Sequence, residues 1–143
     1  MSTTKDIRKN AFNPIASVIN VDQVQVDFSY KNQEFNLDFS LASGDTGRIT
    51  LPVGKIRIKG LTTQVKTAEG SAATIDVGYT GSAAYFHNDL DVNAVAETIS
   101  SAAVIEIDNS ANDKYLTILA NAALANAKLL LLVEEILVDR ASV

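Results

Sequence analysis

Cysteine is absent from the 143-residue sequence, and histidine occurs once, as His87. Without cysteine the chain can form no disulfide, no zinc–thiolate centre and no cysteine nucleophile. A single histidine leaves little material for a multi-histidine metal site, and no glycine-flanked serine resembles the nucleophile elbow of a hydrolase. We therefore predict that the protein is not an enzyme and has no catalytic, cofactor or metal site. His87 is interpreted as a loop or interface side chain.

Long apolar runs are also missing. The longest uninterrupted run is 129–133, whereas a membrane-spanning helix needs about 20 such residues. No apolar stretch of signal-peptide length follows the basic start of the chain. Acidic residues outnumber basic ones 17 to 12, for a net charge of −5, which argues against a nucleic-acid partner. The sequence predicts a soluble protein made in the cytoplasm, with no membrane and no nucleic acid among its partners.

The first fourteen residues differ from the rest. They carry three basic side chains, Lys5, Arg8 and Lys9, and end at Phe12-Asn13-Pro14. We interpret residues 1–14 as a flexible arm that is mobile or ordered by a partner. Residues 15–143 have the length of one domain.

Most of that domain alternates between apolar and polar residues with period two. Segments 24–30 and 35–41 alternate on either side of the polar stretch 31–34, which predicts a β-hairpin. Similar short segments recur between turns, at 15–21, 48–51, 55–59, 61–67, 75–79, 103–107 and 115–119. Many short strands separated by turns are typical of an all-β protein, here an antiparallel, jelly-roll-like β-sandwich.

Two segments do not follow this pattern. Residues 82–101 fit either a short helical turn or a long loop. Residues 119–138 are rich in alanine and leucine, which favours a helix, yet 128–138 fits equally well a strand buried on both faces. Local evidence leaves helix and strand open for 120–138.

One acidic loop has the spacing of a calcium-binding loop. Asp89, Asp91 and Asn93 take the first, third and fifth positions. Ala94 stands where the turn glycine is expected, and Ser100 stands where the bidentate glutamate is expected. The segment is therefore interpreted as a solvated loop, and cation binding by residues 88–97 stays an open question.

Charge is unevenly distributed along the chain. Lys55, Arg57 and Lys59 fall on one side of an alternating strand, whereas residues 69–113 contain eight acids and no base. Three interpretations compete for this basic stripe. It could be a solvated strand face that discourages edge pairing, it could dock on the acidic region of a neighbouring copy in a head-to-tail ring, or it could bind phosphates.

Three motifs carry a resemblance to a known class of protein. They are ITLPVGKI at 49–56, ATIDVGYTG at 73–81, and the aromatic-containing Ala84-Tyr85-Phe86. Over residues 45–137 the sequence resembles small β-sandwich structural proteins of tailed bacteriophages, among them capsid decoration or cement proteins and head-fibre bases. The resemblance implies that 128–138 is a strand and that Gly78 and Gly81 are turn glycines.

The resemblance also implies a function. It predicts a virion structural protein that decorates or cements the capsid surface, binds the major capsid protein and associates with itself as a homotrimer. The alternative is a receptor- or carbohydrate-binding fibre or spike module, for which Tyr79, Tyr85 and Phe86 would have to form the aromatic platform. The candidate interface residues are Lys5, Arg8, Lys9, Lys55, Arg57, Lys59, Tyr85, Phe86, Asp89 and Asp91.

Overall fold

A computed structural model describes residues 4–8, 27–37, 40–100 and 104–139. Within these residues the chain forms ten β-strands and no helix. It follows that no described helix is long and apolar enough to cross a membrane. The strands are β1 (Thr4–Arg8), β2 (Asp27–Leu37), β3 (Thr46–Thr50), β4 (Gly54–Thr67), β5 (Thr74–Tyr79), β6 (Ser82–Asp91), β7 (Ala96–Ile99), β8 (Val104–Asn109), β9 (Tyr115–Ala120) and β10 (Lys128–Asp139).

The strands form two sheets. The first has the order β1-β3-β9-β5-β6. The second has the order β2-β10-β4, and the far side of β4 pairs with both β7 and β8. All pairings between these strands are antiparallel except that of β1 with β3. The predicted all-β sandwich with antiparallel sheets is therefore confirmed.

One core lies between the sheets. In strands such as β3, β8 and β9 alternate residues point inward, so the period-two pattern of the sequence becomes part of a continuous buried cluster. Ile75 and Leu116 of the first sheet belong to it, as do Leu61 and Val133 of the second, and all four are fully buried. Burial of this apolar surface is the main force holding the sheets together.

In three adjacent strands, the set of alternate residues that point toward the core shifts by one residue at a single position. In β4, Ile58 is buried before Gly60 and Leu61 directly after it. In β10, Val133 is buried before Glu134, and Ile136 after it. Asn32 occupies the corresponding place in β2, where the pairing with β10 steps from Val133↔Gln33 to Glu135↔Lys31. We call the aligned residues Asn32, Glu134 and Gly60 the break line.

Backbone geometry marks the break line. Asn32 has φ 53° and Gly60 has φ 70°, both in the left-handed region. The edge partner of β4 changes at the same place, since β8 pairs with residues 54–59 and β7 with residues 62–65. The long strands of the second sheet thus continue through the break line while keeping an apolar side toward the core on both sides of it.

Several expectations need correction. The hairpin predicted for 24–41 is wrong, because the polar stretch 31–34 lies inside β2 and pairs with β10. Its polar character comes from the phase reversal at Asn32, not from a turn. Residues 15–21, and 9–26 more generally, lie outside the described residues. Of the predicted arm, Thr4–Arg8 pairs with β3, and its flexibility stays a prediction.

The two ambiguous segments are both strands. Residues 128–139 form β10 at the centre of the second sheet, so the strand interpretation is confirmed and the helix is wrong. Residues 82–101 form neither a helical turn nor one long loop, since they contain β6 and β7. Gly81 has φ 92° in the turn between β5 and β6, as expected of a turn glycine. Gly78 instead lies within β5, where a Cβ would overlap the backbone of Ser82 and Ala83.

A buried carboxylate holds the connection from β9 to β10. Glu69, only 5 % exposed, accepts hydrogen bonds from the backbone N–H groups of Ala125 (3.2 Å), Asn126 (2.9 Å) and Ala127 (3.0 Å). The Asn126 amide donates in return to the Glu69 carbonyl oxygen at 3.1 Å. These bonds, that from Asn126 first, hold the pKa of Glu69 below its ordinary value although burial opposes them. The turn that precedes β10 is therefore fixed by a negative charge surrounded by amide donors.

Replacing Gly60 should destabilise the fold. A Cβ at this position would lie 2.7 Å from the Cβ of Glu134, and the residue already has a positive φ. We expect Gly60→Ala to lower the free energy of unfolding by about 2–4 kcal/mol, measured by urea denaturation. Gly70→Ala is the matched control, because Gly70 also has a positive φ but no atom lies within 4 Å of the place that a Cβ would take. Equal losses in the two variants would contradict a steric role for the break line.

Replacing Glu69 should alter stability in a pH-dependent way. At neutral pH, Glu69→Ala should cost about 2–4 kcal/mol of unfolding free energy, because three amide donors lose their acceptor. The folded pKa lies below the ordinary value of 4.5, so this stabilisation is complete above pH 4.5 and is lost as pH falls through the folded pKa. Denaturation from pH 7 to pH 3 should show the difference between wild type and Glu69→Gln shrinking with acid. A difference independent of pH would contradict an ionised Glu69.

Candidate interaction surface

The predicted interface residues lie in separate parts of the sandwich. Lys55, Arg57 and Lys59 are exposed on the outer face of β4. Tyr85, Phe86, Asp89 and Asp91 belong to β6, an edge strand of the other sheet. Lys5 and Arg8 fall in β1, and Lys9 lies outside the described residues. The structure therefore brings together the basic stripe and, separately, the β6 group, but it does not join them in one site.

Acidic residues of the same chain accompany the basic stripe. Arg57 Nη2 lies 2.9 Å from Glu106 Oε1 on β8, and Lys59 Nζ lies 3.9 Å from Glu134 Oε1 on β10. Lys55 is the register partner of Asp108. The pKa of Asp108 is lowered, first by the hydrogen bonds from Ser110 and to a smaller extent by the charge of Lys55. The stripe is thus balanced within the chain, by acids that the linear sequence places far from it.

The aromatic residues do not form an exposed platform. The Tyr85 ring makes edge contacts with Tyr79 at 5.5 Å and with Phe86 at 5.1 Å between centroids. Phe86 is only 7 % exposed and belongs to the core, whereas Tyr85 is 40 % exposed. Because Phe86 points inward, it is not available at the surface as the sequence suggested. Tyr85 alone of this cluster offers a substantial ring surface to solvent.

The acidic residues of β6 are tied into loop hydrogen bonds. The Asp89 N–H donates to Asp76 Oδ1 at 2.9 Å, and the Asn121 amide donates to Asp76 at 3.0 Å and to Asp89 at 3.1 Å. Asp91 accepts the Asn93 N–H at 2.8 Å. Among the described residues no group of three or more His, Cys, Asp or Glu side chains has an arrangement that could hold a metal ion. Asp89 and Asp91 therefore organise the loop, through contacts that the calcium-like spacing did not predict.

His87 lies in the core and not in a loop. It is 7 % exposed in β6 opposite Val77, and its Nε2 has no hydrogen-bond partner within the described part of the chain. Burial lowers the pKa of this imidazole because the charged form loses hydration. The interpretation of His87 as a loop or interface residue is wrong, since a bulge in β6 places both Phe86 and His87 inward.

Two grooves lie on the outer face of the second sheet, one along the basic stripe and one at the break line. The first, of about 430 Å³, runs along the basic stripe between Lys55, Arg57, Glu106 and Asp108. The second, of about 360 Å³, is lined by outward residues of β2, β4, β7 and β10. They are Asn32, Glu34, Thr62, Ile99, Leu132 and Glu134. The sequence analysis missed this second groove, although the four consecutive leucines of β10 already indicated apolar residues on both faces of the strand.

The fold has a counterpart among solved structures. A chain of the Cyanophage Pam1 capsid asymmetric unit superposes with a TM-score of 0.54 at 15 % sequence identity, over 80 % of this chain and 86 % of that chain. No protein-family description matches the sequence, and no curated protein matches it either. At this identity the similarity establishes a shared fold over most of both chains.

The buried histidine predicts a distinct acid transition. Because the folded pKa of His87 lies below its ordinary value of 6.5, its neutral form is favoured in the folded state. Stability is therefore complete above pH 6.5 and falls as the pH drops toward the folded pKa. His87→Leu should remove the part of the decline that begins as the pH falls below 6.5 in urea denaturation, since the chain has one histidine. An identical decline in the variant would contradict the assignment.

Proposed function

We propose that this protein is a non-enzymatic structural protein of a bacteriophage virion, which decorates or cements the head by binding the major capsid protein. Its place would be the capsid surface. The observation that carries the proposal is the fold shared with a phage capsid chain over most of the length of both chains. The sequence motifs at 49–56 and 73–81 point independently to the same class of protein.

The physical character of the chain suits this role. A decoration protein needs a rigid body and complementary surfaces, and it needs no reactive group. The large outer faces of the two sheets supply such surfaces. We propose that Lys5, Arg8 and Lys9, together with Tyr85, Asp89 and Asp91, contribute to the contact with capsid subunits. The homotrimer expected from the sequence stays a prediction.

The alternative of a carbohydrate-binding fibre module has weaker support. Sugar recognition on a protein surface commonly uses exposed aromatic rings, and burial of Phe86 leaves Tyr85 as the exposed member of the predicted platform. The basic stripe likewise offers little net positive charge to an anionic glycan, since Glu106, Asp108 and Glu134 lie beside it. The structural role is therefore the better supported of the two.

The proposal predicts selective binding to assembled heads. The purified protein should co-sediment with heads of the phage whose genome encodes it, and it should not bind unassembled capsid protein. A variant with Lys5, Arg8 and Lys9 all replaced by Glu should bind heads about tenfold more weakly, because charge reversal disturbs a complementary contact. Lys114→Glu is the control, since Lys114 lies next to Asp113 in the loop before β9 and is not one of the proposed contact residues.

Mass spectrometry of purified virions gives the decisive readout. The chain should be present in a fixed copy number relative to the major capsid protein. Its absence from the particles would overturn the proposal, as would equal binding to assembled and unassembled capsid protein.

A further inference from the structure

One half of the outer face of the second sheet exposes apolar side chains to solvent. It lies beyond the break line, on the side of residues 61–67 of β4 and 128–133 of β10. Strand pairing places its residues in two cross-strand rows, since Leu132 pairs with Thr62 and Leu130 with Gln64. Ile99 of β7 continues the first row beside Thr62. We call Leu130, Leu132, Thr62, Gln64 and Ile99 the leucine face.

The leucine face exposes apolar side chains that a strand directed at water would not carry. Leu129 and Leu131 point inward and are each 1 % exposed, whereas Leu130 and Leu132 point outward and are half-buried. Ile99 is 70 % exposed at the edge of the face. Exposed apolar groups gathered beside a groove are typical of a contact surface.

Opposite charges lie at the two ends of the leucine face. Lys66 and Lys128 are both exposed at one end, on paired strands, and neither forms an ion pair with another described residue. Glu134 lies on the outer face at the other end, where its Oε1 is also 3.9 Å from Lys59 Nζ of the same chain. Glu34 lies one row nearer, beside Leu132, and Glu97 is exposed at the edge of the face beside Gln64. At about 3.3 Å per residue, the lysine end and the glutamate end of β10 are separated by about 20 Å.

We propose that the leucine face is a two-fold contact between two copies of this chain. A two-fold axis in the plane of the contact and perpendicular to the strands reverses the strand direction. It therefore places the lysine end of each copy over the glutamate end of the other, with the leucines and Ile99 between them. The contact brings Lys128 of each copy over Glu134 of the other and joins the leucines at the centre, so it has the symmetry of an isologous interface.

This arrangement differs from the head-to-tail ring considered from the sequence. A ring uses two patches that point in different directions, whereas both charged ends here lie on one face. The other half of the sheet is unsuited to the same role, because the outward residues of β4 there are Lys55, Arg57 and Lys59, with no apolar side chain among them, and Arg57 already pairs with Glu106. A two-fold contact is compatible with a homotrimer only as a contact between trimers. The two-fold contact would form in the purified protein whether or not the protein binds a phage head.

Charge reversal of each end tests the contact. Wild type should have twice the 15.3 kDa mass of one chain by light scattering after gel filtration, or six times that mass if trimers also form. Lys66→Glu with Lys128→Glu makes both ends acidic, and Glu34→Lys with Glu134→Lys makes both ends basic. Each double variant should dissociate at least about 30-fold more readily, because like charges then face each other. An equimolar mixture of the two should restore a one-to-one complex.

A swapped pair on the other half of the sheet is the control. Arg57→Glu combined with Glu106→Arg keeps the local pairing and should leave the mass of the assembly unchanged. Leu132→Gln, which removes apolar contact at the centre without reversing a charge, should also favour the monomer, while circular dichroism should show an unchanged β-spectrum. A monomeric or purely trimeric wild type would overturn the proposal, as would a mixture of the two charge variants that stays dissociated.

Discussion

The second sheet depends on a coordinated reversal of phase in three neighbouring strands. A strand that shifted its inward residues alone would lose its pairing or expose its apolar side, because the side-chain period of a strand is two. Asn32, Glu134 and Gly60 lie side by side, so all three strands shift together and the ladder continues on both sides. The positive φ of Asn32 and Gly60 permits the shift, and Gly60 also leaves room for the Glu134 side chain. The core can therefore extend along strands longer than usual.

The same reversal divides the outer face of the sheet into two chemically different halves. Before the break line, charged residues such as Arg57 and Glu106 alternate between adjacent strands and balance one another. Beyond it, the outward residues include Leu130, Leu132 and Ile99, and the charges lie at the two ends and at the flanking Glu34 and Glu97. In one half the charges are thus balanced by ion pairs within the chain. The other half leaves apolar groups exposed and has lysines without ion-pair partners among the described residues. This contrast identifies the leucine face as the part of the sheet suited to another copy.

Local sequence predicted what depends on a single strand and failed where the partner strand decides. Alternation identified β3, β4, β5, β8 and β9 of the all-β sandwich, though not β6 or β7, and it already separated the patterns on the two sides of Gly60. Alternation could not show that both patterns belong to the single strand β4, because what joins them is their common pairing with β10. The stretch 31–34 resembled a turn for the same reason. The assignment of Phe86 to the surface was wrong because a bulge in β6 turns two consecutive residues inward, and a period of two does not describe such a bulge.

The charge distribution along the sequence was also a poor guide to which charges pair in the folded chain. The sequence separates a basic segment from an acidic one, which favoured attraction between copies. Antiparallel pairing of β4 with β8 places Glu106 and Asp108 beside Arg57 and Lys55, so much of that attraction is satisfied inside one chain. An ion pair at an exposed position contributes little to stability, but it removes the charge that a partner could use. The two lysines at the end of the leucine face, which have no ion-pair partner in the described part of the chain, consequently gain importance for association, although nothing in their sequence surroundings distinguishes them.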